Sequence, residues 1–436
     1  MSKVSVIMPS LNVAAYIRES VSSVTAQSLR EIEVLCVDAG STDGTREILD
    51  ELAEADTRVR VYHSDVKSYG YQVNLGIRLA KGEYIAIVET DDYIDPGMYA
   101  RLYQAARDHN CDYIKSDYFF YWTQTDGKRF FVKRKMFLDS GLYGRVVEPV
   151  RYSQAASGDW YLWNGIYKRS FLLKNRIRFH ETPGAAFQDI GFLYQTNIYA
   201  KRVLYLEEPF YRYCIDRDGS SSNSGKALEY ACREFQELVK EEQGSQDIGS
   251  DALRALYIRM SRSFLYSYPE LDWEGGRENQ ETRALSYEWF RERLSWAVKA
   301  RLISREEIGG EIWDRLCTLL VSERRYFDGI RSQGRNVIRK LGEERQYPVI
   351  IFGCGHHGFL AYRWLEKRKY SVVAFMDNNP ELWGKTINGI AVRSPENIEA
   401  LGDDTRYCVA NALYHESIKK QILGKGVGEE RIAILM

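Results

Sequence analysis

The sequence has no run near the ~18 consecutive apolar residues of a membrane-spanning helix. None of its 7 cysteines has a partner at C-x-x-C spacing, which argues against a structural zinc site. Seven cysteines over 436 residues are also no disulfide framework. Neither sign of charge is in excess. The 60 Lys and Arg against 61 Asp and Glu leave a net charge of -1, which argues against a general nucleic-acid binder. The opening MSKVSVIMPSLN carries no apolar segment ending in a cleavage site, so no secretory signal is expected. Low-complexity tracts and repeats of fixed period are missing as well. These absences leave a cytosolic, globular, multidomain protein, with about three domains at roughly 150 residues each. The 44% hydrophobic content suffices for real cores. The 31 tyrosines and 9 tryptophans suit platforms for sugars or bases, or the cores themselves, and composition does not choose.

The first 120 residues alternate strand and helix. Val4, Val6 and Met8 alternate with polar or small neighbours up to Pro9, a strand pattern. Ile17, Val21 and Val24 recur at helical spacing. Ile32–Asp38 is a continuous apolar run, as in a strand buried on both faces. Ser41 or Thr42 can cap the helix that carries Ile48, Leu49 and Leu52. Val59–His63 and Glu83–Glu89 read as strands, with a helix between them around Val73–Ala80. Asp95 and Pro96 start another helix, through Met98 to His109. This alternation implies parallel βαβ units. Residues 120–225 are less regular and aromatic, and 226–345 read as helical, with a loop near Tyr268–Glu281. From Pro348 a new αβ pattern starts, with strands at PVIIFG, SVVAFMD, YCVAN and RIAIL. The expected domains are 1–225, 226–345 (a helical domain or linker) and 346–436.

In parallel sheets, ligands bind beyond the carboxyl ends of strands. Pro9, Ser10, Leu11 and Asn12 follow the first strand, and Asp38 ends the second. Lys67, Tyr69 and Gly70 follow the third, and Glu89, Thr90, Asp91 and Asp92 follow the fourth. Crowded carboxylates repel unless a cation is present. Hard oxygen ligands here suit magnesium or manganese sharing a substrate phosphate. The alternative is a set of solvated loop carboxylates.

MPSLN, VDAGSTDGT and GEYIAIVETDD, in this order and spacing, resemble the family 2 nucleotide-sugar glycosyltransferases of GT-A fold. The resemblance spans about the first 110 residues and extends more faintly through WNGIYKRSFL and AFQD to about residue 225. It implies a nucleotide-diphosphate sugar donor, most often a uridine one, and transfer with inversion. Acceptors would be hydroxyls of glycans, lipid-linked or protein-linked glycans. It places Pro9, Leu11 and Asn12 beside the base and Asp38 on the uracil ring. Glu89 would lie near the ribose, and Asp91 would ligate Mn2+ or Mg2+ on the diphosphate. Thr90 sits between these acids. The family's usual second Asp is Ala39 here. Asp92 is either a fourth acid or a structural hydrogen-bond acceptor. Lys67 would meet a phosphate, or stay an exposed loop lysine. Gly70 would give the loop its conformation, and Tyr69 and Asn74 would shape the donor pocket, with loop bracing as the alternative for Asn74.

An inverting transfer needs a base for the acceptor hydroxyl, and a positioned carboxylate supplies about 10²–10⁴-fold. The resemblance implies an acid of an E-D or similar pair in this role, and in FHETPGAAFQDIGFLYQ that acid would be Asp189. The alternative is a helix N-terminal acid. Gln188 replaces the usual neighbouring acid, and Glu181 is a weaker candidate. The resemblance implies that Trp163, beside Asn164, floors the acceptor site, with Trp160 and Tyr167 nearby; the alternative is a core tryptophan. His180 is read as structural. Arg217, Ser220 and Ser221 would close over the diphosphate or form a linker. KRFFVKRK (128–135) reads as a solvated hairpin, with an anionic or membrane-surface acceptor as its alternative.

GCGHHG places Gly353, Gly355 and Gly358 in a G-x-G-x-x-G between strand and helix, and Asp377 ends the next strand. The segment, with FMDNNPELWGKTINGIAV, resembles the small Rossmann-like modules attached to sugar-modifying enzymes. A nucleotide or sugar nucleotide is the first ligand candidate. About 90 residues are too few for both mononucleotide halves, so NAD is not the expected cofactor. The remaining reading is a structural or oligomerisation role. His356 and His357 are loop residues.

Three functions compete. The first is a metal-dependent inverting glycosyltransferase, cytoplasmic or peripheral at the inner membrane surface. The second is a nicotinamide-dependent sugar oxidoreductase or epimerase, working through the C-terminal module. The third is a decayed sugar-nucleotide-binding protein, suggested by Ala39, Glu89 and Gln188.

Overall fold

The computed structural model describes every residue except 1, 138–140, 159, 186, 218–225, 244–248, 269–279, 403, 412–413 and 436. The chain divides into two compact units. The first comprises Met1–Phe120, Lys133–Ser267 and Arg277–Leu316, and the second Tyr121–Val132, Tyr268–Gly276 and Cys317–Met436.

The first unit begins with the alternation read from the sequence: β1 (Val4–Ser10), α1 (Ile17–Thr25), β2 (Ile32–Asp38), α2 (Thr45–Ala55), β3 (Val59–His63), α3 (Tyr69–Leu79) and β4 (Tyr84–Ile87). Strands β3, β2, β1 and β4 lie side by side and parallel. Every residue of β1 and β2 is buried, as expected for central strands covered on both faces. α1 turns Ile17, Val21 and Val24 into the core at a three-to-four-residue period. α2 has no side-chain cap from Ser41 or Thr42. It starts after Gly44 in a left-handed conformation, and Asp43 Oδ1 accepts from Thr45 N–H instead. α3 is capped by Ser68, whose hydroxyl accepts from Tyr71 N–H.

Next come β5 (Tyr93–Ile94), α4 (Met98–Asp108), β6 (Tyr113–Thr123), β7 (Arg129–Arg134), β8 (Val146–Val147), α5 (Ser153–Gly158), β9 (Gly165–Lys168), α6 (Arg169–Lys174), α7 (Gln188–Tyr199) and β10 (Val203–Cys214). They extend the sheet to the order β3-β2-β1-β4-β9-β6-β10-β5. β9 joins antiparallel to β4, so the parallel region ends there. The basic run forms β7, paired with β6. α8 (Ala227–Gln243), α9 (Ser250–Tyr266), α10 (Gln280–Lys299) and α11 (Arg305–Ile308) lie in this unit. α12 (Gly310–Val321) spans the boundary, and α13 (Glu323–Leu341) belongs to the second unit. The helical stretch is thus shared between the units.

The second unit adds β11 (Val349–Phe352), α14 (His356–Lys367), β12 (Val372–Met376), β13 (Thr386–Ile387), β14 (Ile390–Arg393), β15 (Arg406–Val409), α15 (His415–Gly424) and β16 (Ile432–Ile434). The sheet order is β13-β14-β12-β11-β15-β16, parallel except for β13. Trp122 stacks on Phe359 within this unit, with ring centroids 4.7 Å apart. Among the described residues no helix is long and apolar enough to cross a membrane.

Candidate active site

The loops after β1 and β2 hold each other. Asp38 is fully buried, and its carboxylate accepts the N–H groups of Gly40 (3.0 Å) and Ser41 (3.2 Å). Asn12 adopts a left-handed φ of 53°, donates its N–H to Ser41 Oγ and accepts from Thr42 N–H. Ala39 N–H donates to the carbonyl of Ser10. The two side chains expected at a base therefore brace the loop that would face it. Leu11 is exposed, and the carbonyl of Pro9 accepts from the Thr90 hydroxyl at 3.0 Å.

The acids after β4 take separate partners. The Tyr69 hydroxyl donates to Glu89 Oε1 at 2.6 Å. Burial, reinforced by the nearby Asp91 and Asp189 carboxylates, outweighs that hydrogen bond and pushes the Glu89 carboxyl up to about 8. Asp91 is paired with Arg217, whose guanidinium also lies 5.5 Å from the Tyr16 ring centre. Asp92 is buried. It accepts from the Tyr211 hydroxyl (2.9 Å) and from Cys214 N–H (2.8 Å), so it is the structural acceptor of the two readings. Tyr211 Oη also accepts from Glu89 N–H at 3.1 Å. One tyrosine of β10 thus ties both ends of the Glu89–Asp92 turn, a role no sequence pattern signals.

Trp163 lies behind that tyrosine. It is buried, stacked on Tyr211 (4.1 Å), Tyr161 (4.7 Å) and Tyr213 (5.1 Å). Its ring supports the acid turn rather than presenting a free face to an acceptor, because these tyrosines already occupy it. Tyr161 and Tyr213 are only partly buried.

Asp189 enters from the other half of the chain. Phe187 adopts a left-handed backbone (φ 65°), and this reversal starts α7 with Asp189 in its first turn. Left-handed non-glycine residues cost about 1–3 kcal/mol and concentrate at functional turns. Ile190 N–H donates to Asp189 Oδ1 at 3.0 Å. Burial and the Glu234 carboxylate push the Asp189 carboxyl up to about 6, with Arg259 acting against them. Asp189 lies close enough to Glu89 and Tyr69 to raise both. Tyr69, Glu89, Asp91, Arg217 and Asp189 therefore share one electrostatic site. Asp38 is held by its own loop, with Arg46 3.6 Å and His63 3.9 Å from its carboxylate.

The chain before α7 is stitched onto α3. Gly184 N–H donates to the Lys67 carbonyl, and Tyr69 N–H donates to the Gly184 carbonyl. The Asn74 amide exchanges hydrogen bonds with the Phe179 backbone at 2.9 and 3.0 Å. Gln188 donates to Thr182 and Gly184. An amide can donate here where a carboxylate could not, which gives physical reason for glutamine at this position. The exposed Lys67 contributes its backbone to this seam. Glu181 is exposed and held by Asn74. Gly70 works by close approach, since a Cβ there would stand 2.1 Å from the His180 carbonyl oxygen. His180 itself is paired with Glu234 at 2.9 Å. Ser220 and Ser221 lie outside the described residues.

In the second unit, a Cβ on Gly358 would meet the Gly353 carbonyl oxygen at 1.9 Å, while Gly355 faces open space. Asp377 accepts from Cys354 N–H (2.8 Å) and Asn379 N–H (2.9 Å). The Asp377 carboxylate thus braces the glycine loop.

Residues 5–186 match the model of glycosyl transferase family 2, and residues 345–433 match the family described as C2185-like, N-terminal. The glycosyltransferase GlyG of Streptococcus pneumoniae serotype 4 is 32% identical over 216 residues, 48% of this chain and 70% of that protein. The uncharacterized glycosyltransferase EpsJ of Bacillus subtilis is 29% identical over 211 residues, 48% of this chain and 60% of that protein. A crystal structure of S. aureus TarS residues 1–349 with UDP-GlcNAc aligns with a TM-score of 0.57 at 19% identity, covering 79% of this chain and 93% of that one. The chain belongs to the family 2 glycosyltransferases. Its first unit has the mixed α/β, GT-A-like sheet expected of them.

Proposed function

We propose that this protein moves a sugar from a uridine-diphosphate donor to an acceptor hydroxyl on a glycan, lipid-linked or protein-linked, with inversion. The carrying observation is the convergence of Glu89 and Asp91 with Asp189, from distant parts of the chain, in one site at the carboxyl ends of parallel strands. In that site Asp189 is the general base. Its carboxyl titrates near 6, so it is ionised at neutral pH yet basic enough to take a hydroxyl proton. Arg217 meets the negative charge of the diphosphate, released from Asp91 or sharing it. Tyr69 orients Glu89. The partly buried Tyr161 and Tyr213 offer ring surface for an acceptor sugar. The UDP-GlcNAc complex of TarS supports a uridine donor.

The residues also fit a divalent cation. Asp91 offers a hard oxygen ligand just after β4, paired with the Arg217 guanidinium, and Glu89 lies near it. No group of three or more His, Cys, Asp or Glu side chains among the described residues forms a metal cage. A cation shared with a diphosphate needs only one or two carboxylates, of which Asp91 is the first. Bound Mn2+ or Mg2+ would stabilise charge on the departing diphosphate.

A donor screen scored by released nucleotide diphosphate, with and without manganese, tests this reading. Turnover of a UDP-sugar, lost in Asp91→Ala, is expected. Turnover of no nucleotide sugar against a broad acceptor panel, with donor still bound, would favour a decayed transferase.

A further inference from the structure

Glu234 lies on α8, outside the residues that match the family, and its carboxylate is 1% exposed. A charge so deeply buried needs partners. It meets two elements through one oxygen, and its Oε2 is left without a hydrogen-bond partner among the described residues. Its Oε1 lies 2.9 Å from His180 Nδ1. The same oxygen fills the space above Gly191, where a Cβ would come within 2.3 Å of it. Gly191 is two residues beyond Asp189 on α7. The His180 carbonyl, in turn, sits on Gly70, next to the tyrosine that donates to Glu89. One carboxylate therefore touches the supports of both Asp189 and Glu89. Stability alone is a poor reason for such a group, because apolar replacements of buried ion pairs are often neutral or stabilising.

We propose that Glu234 is a positioning residue for sugar transfer: held between His180 and Gly191, it fixes the Asp189 carboxylate relative to the Tyr69–Glu89 pair. This rests on reading Asp189 as the base. The groups facing Asp189 are Glu234 on α8, Arg259 on α9, Tyr69 on α3 and Glu89 after β4. Those facing Glu234 are His180, Glu241 and Asp189. Burial opposes the charge on His180, but Glu234 and Glu241 outweigh it and raise the imidazole to about 10, so the clamp contains an imidazolium at neutral pH. Glu234 holds the Asp189 carboxyl up. Removing its charge lowers that carboxyl.

The test compares Glu234→Gln, His180→Gln and Asp189→Asn with the wild type, using UDP release from the donor the wild type turns over. UDP binding with manganese is measured alongside. Misplacing reacting groups by ~1 Å costs on the order of 10²-fold. For Glu234→Gln, kcat is expected to fall about tenfold to a hundredfold, with donor KM and UDP affinity within about twofold. The acid limb of its pH profile moves to lower pH. His180→Gln is expected to show the same loss in kcat. If Asp189→Asn is inactive while Glu234→Gln keeps both kcat and the acid limb, the inference is overturned and the base assignment stands. If Asp189→Asn retains full activity, the base assignment falls and the inference with it. Activity lost only in parallel with folded protein in both clamp variants, with the acid limb unmoved, would make the pair structural and also overturn it.

Discussion

A methyl group on Gly70 probes the seam between the two halves of the site. In the first turn of a helix, replacing glycine by alanine ordinarily stabilises, by up to about 1 kcal/mol. Here the added Cβ would lie 2.1 Å from the His180 carbonyl oxygen and 3.1 Å from Phe179 Cβ. Contacts under 3.0 Å are essentially never made by a real Cβ, so the backbone of one side must retreat by roughly 1 Å. Overpacking of this kind costs about 1–3 kcal/mol. At roughly 2–4 °C per kcal/mol for a large unit, Tm should fall by about 2–12 °C. The retreat also separates Tyr69 and Glu89 from the chain leading to Asp189, and transfer should drop by about tenfold or more. Thermal unfolding by circular dichroism and initial rates of UDP release measure the two effects. A Tm equal to or above the wild type's, with unchanged turnover, would refute the close-packed seam.

Three further outcomes follow from the same geometry. The kcat/KM of the wild type should fall about tenfold per pH unit below about pH 6, because a base must be ionised to act and Asp189 titrates there; a profile flat down to pH 5 would contradict this. The His180 imidazole is raised from 6.5 to about 10, so its contribution to stability is complete below about pH 6.5 and is lost as pH rises towards 10. Tm should therefore decline over that window less steeply in Glu234→Gln than in the wild type. Gly358→Ala places a Cβ 1.9 Å from the Gly353 carbonyl oxygen, so hydrogen exchange should show loosening of the second unit around β11 and α14, and unchanged exchange there would refute that packing.

Much of this was legible because hydrophobic period follows burial. The all-buried runs of β1 and β2 and the spacing of Ile17, Val21 and Val24 read correctly as strands and helix, and so did the αβ pattern after Pro348. The acids after β4 and Asp189 could be nominated from motif order. Their partners could not. Tyr211 reaches Asp92 from 119 residues away, and Glu234 meets His180 across 54, distances at which a single sequence carries no pairing signal. Asp38 and Asn12 illustrate the opposite limit. Their residue types suit a base contact, and the hydrogen bonds by which they also brace their loop are not signalled by residue type alone. Trp163 suited stacking on a sugar, and it stacks on tyrosines instead. Phe187 in a left-handed turn had no sequence signal at all, since aromatic residues rarely adopt it.

The central claim is that Asp189 takes the acceptor proton at a site where Glu89 and Asp91 face the donor. Turnover of the preferred UDP-sugar by Asp189→Asn, with donor affinity measured on the same sample, tests it most directly. A loss of about 10²–10⁴-fold in turnover with donor affinity within about threefold of wild type is predicted. Full turnover by that variant would contradict the account.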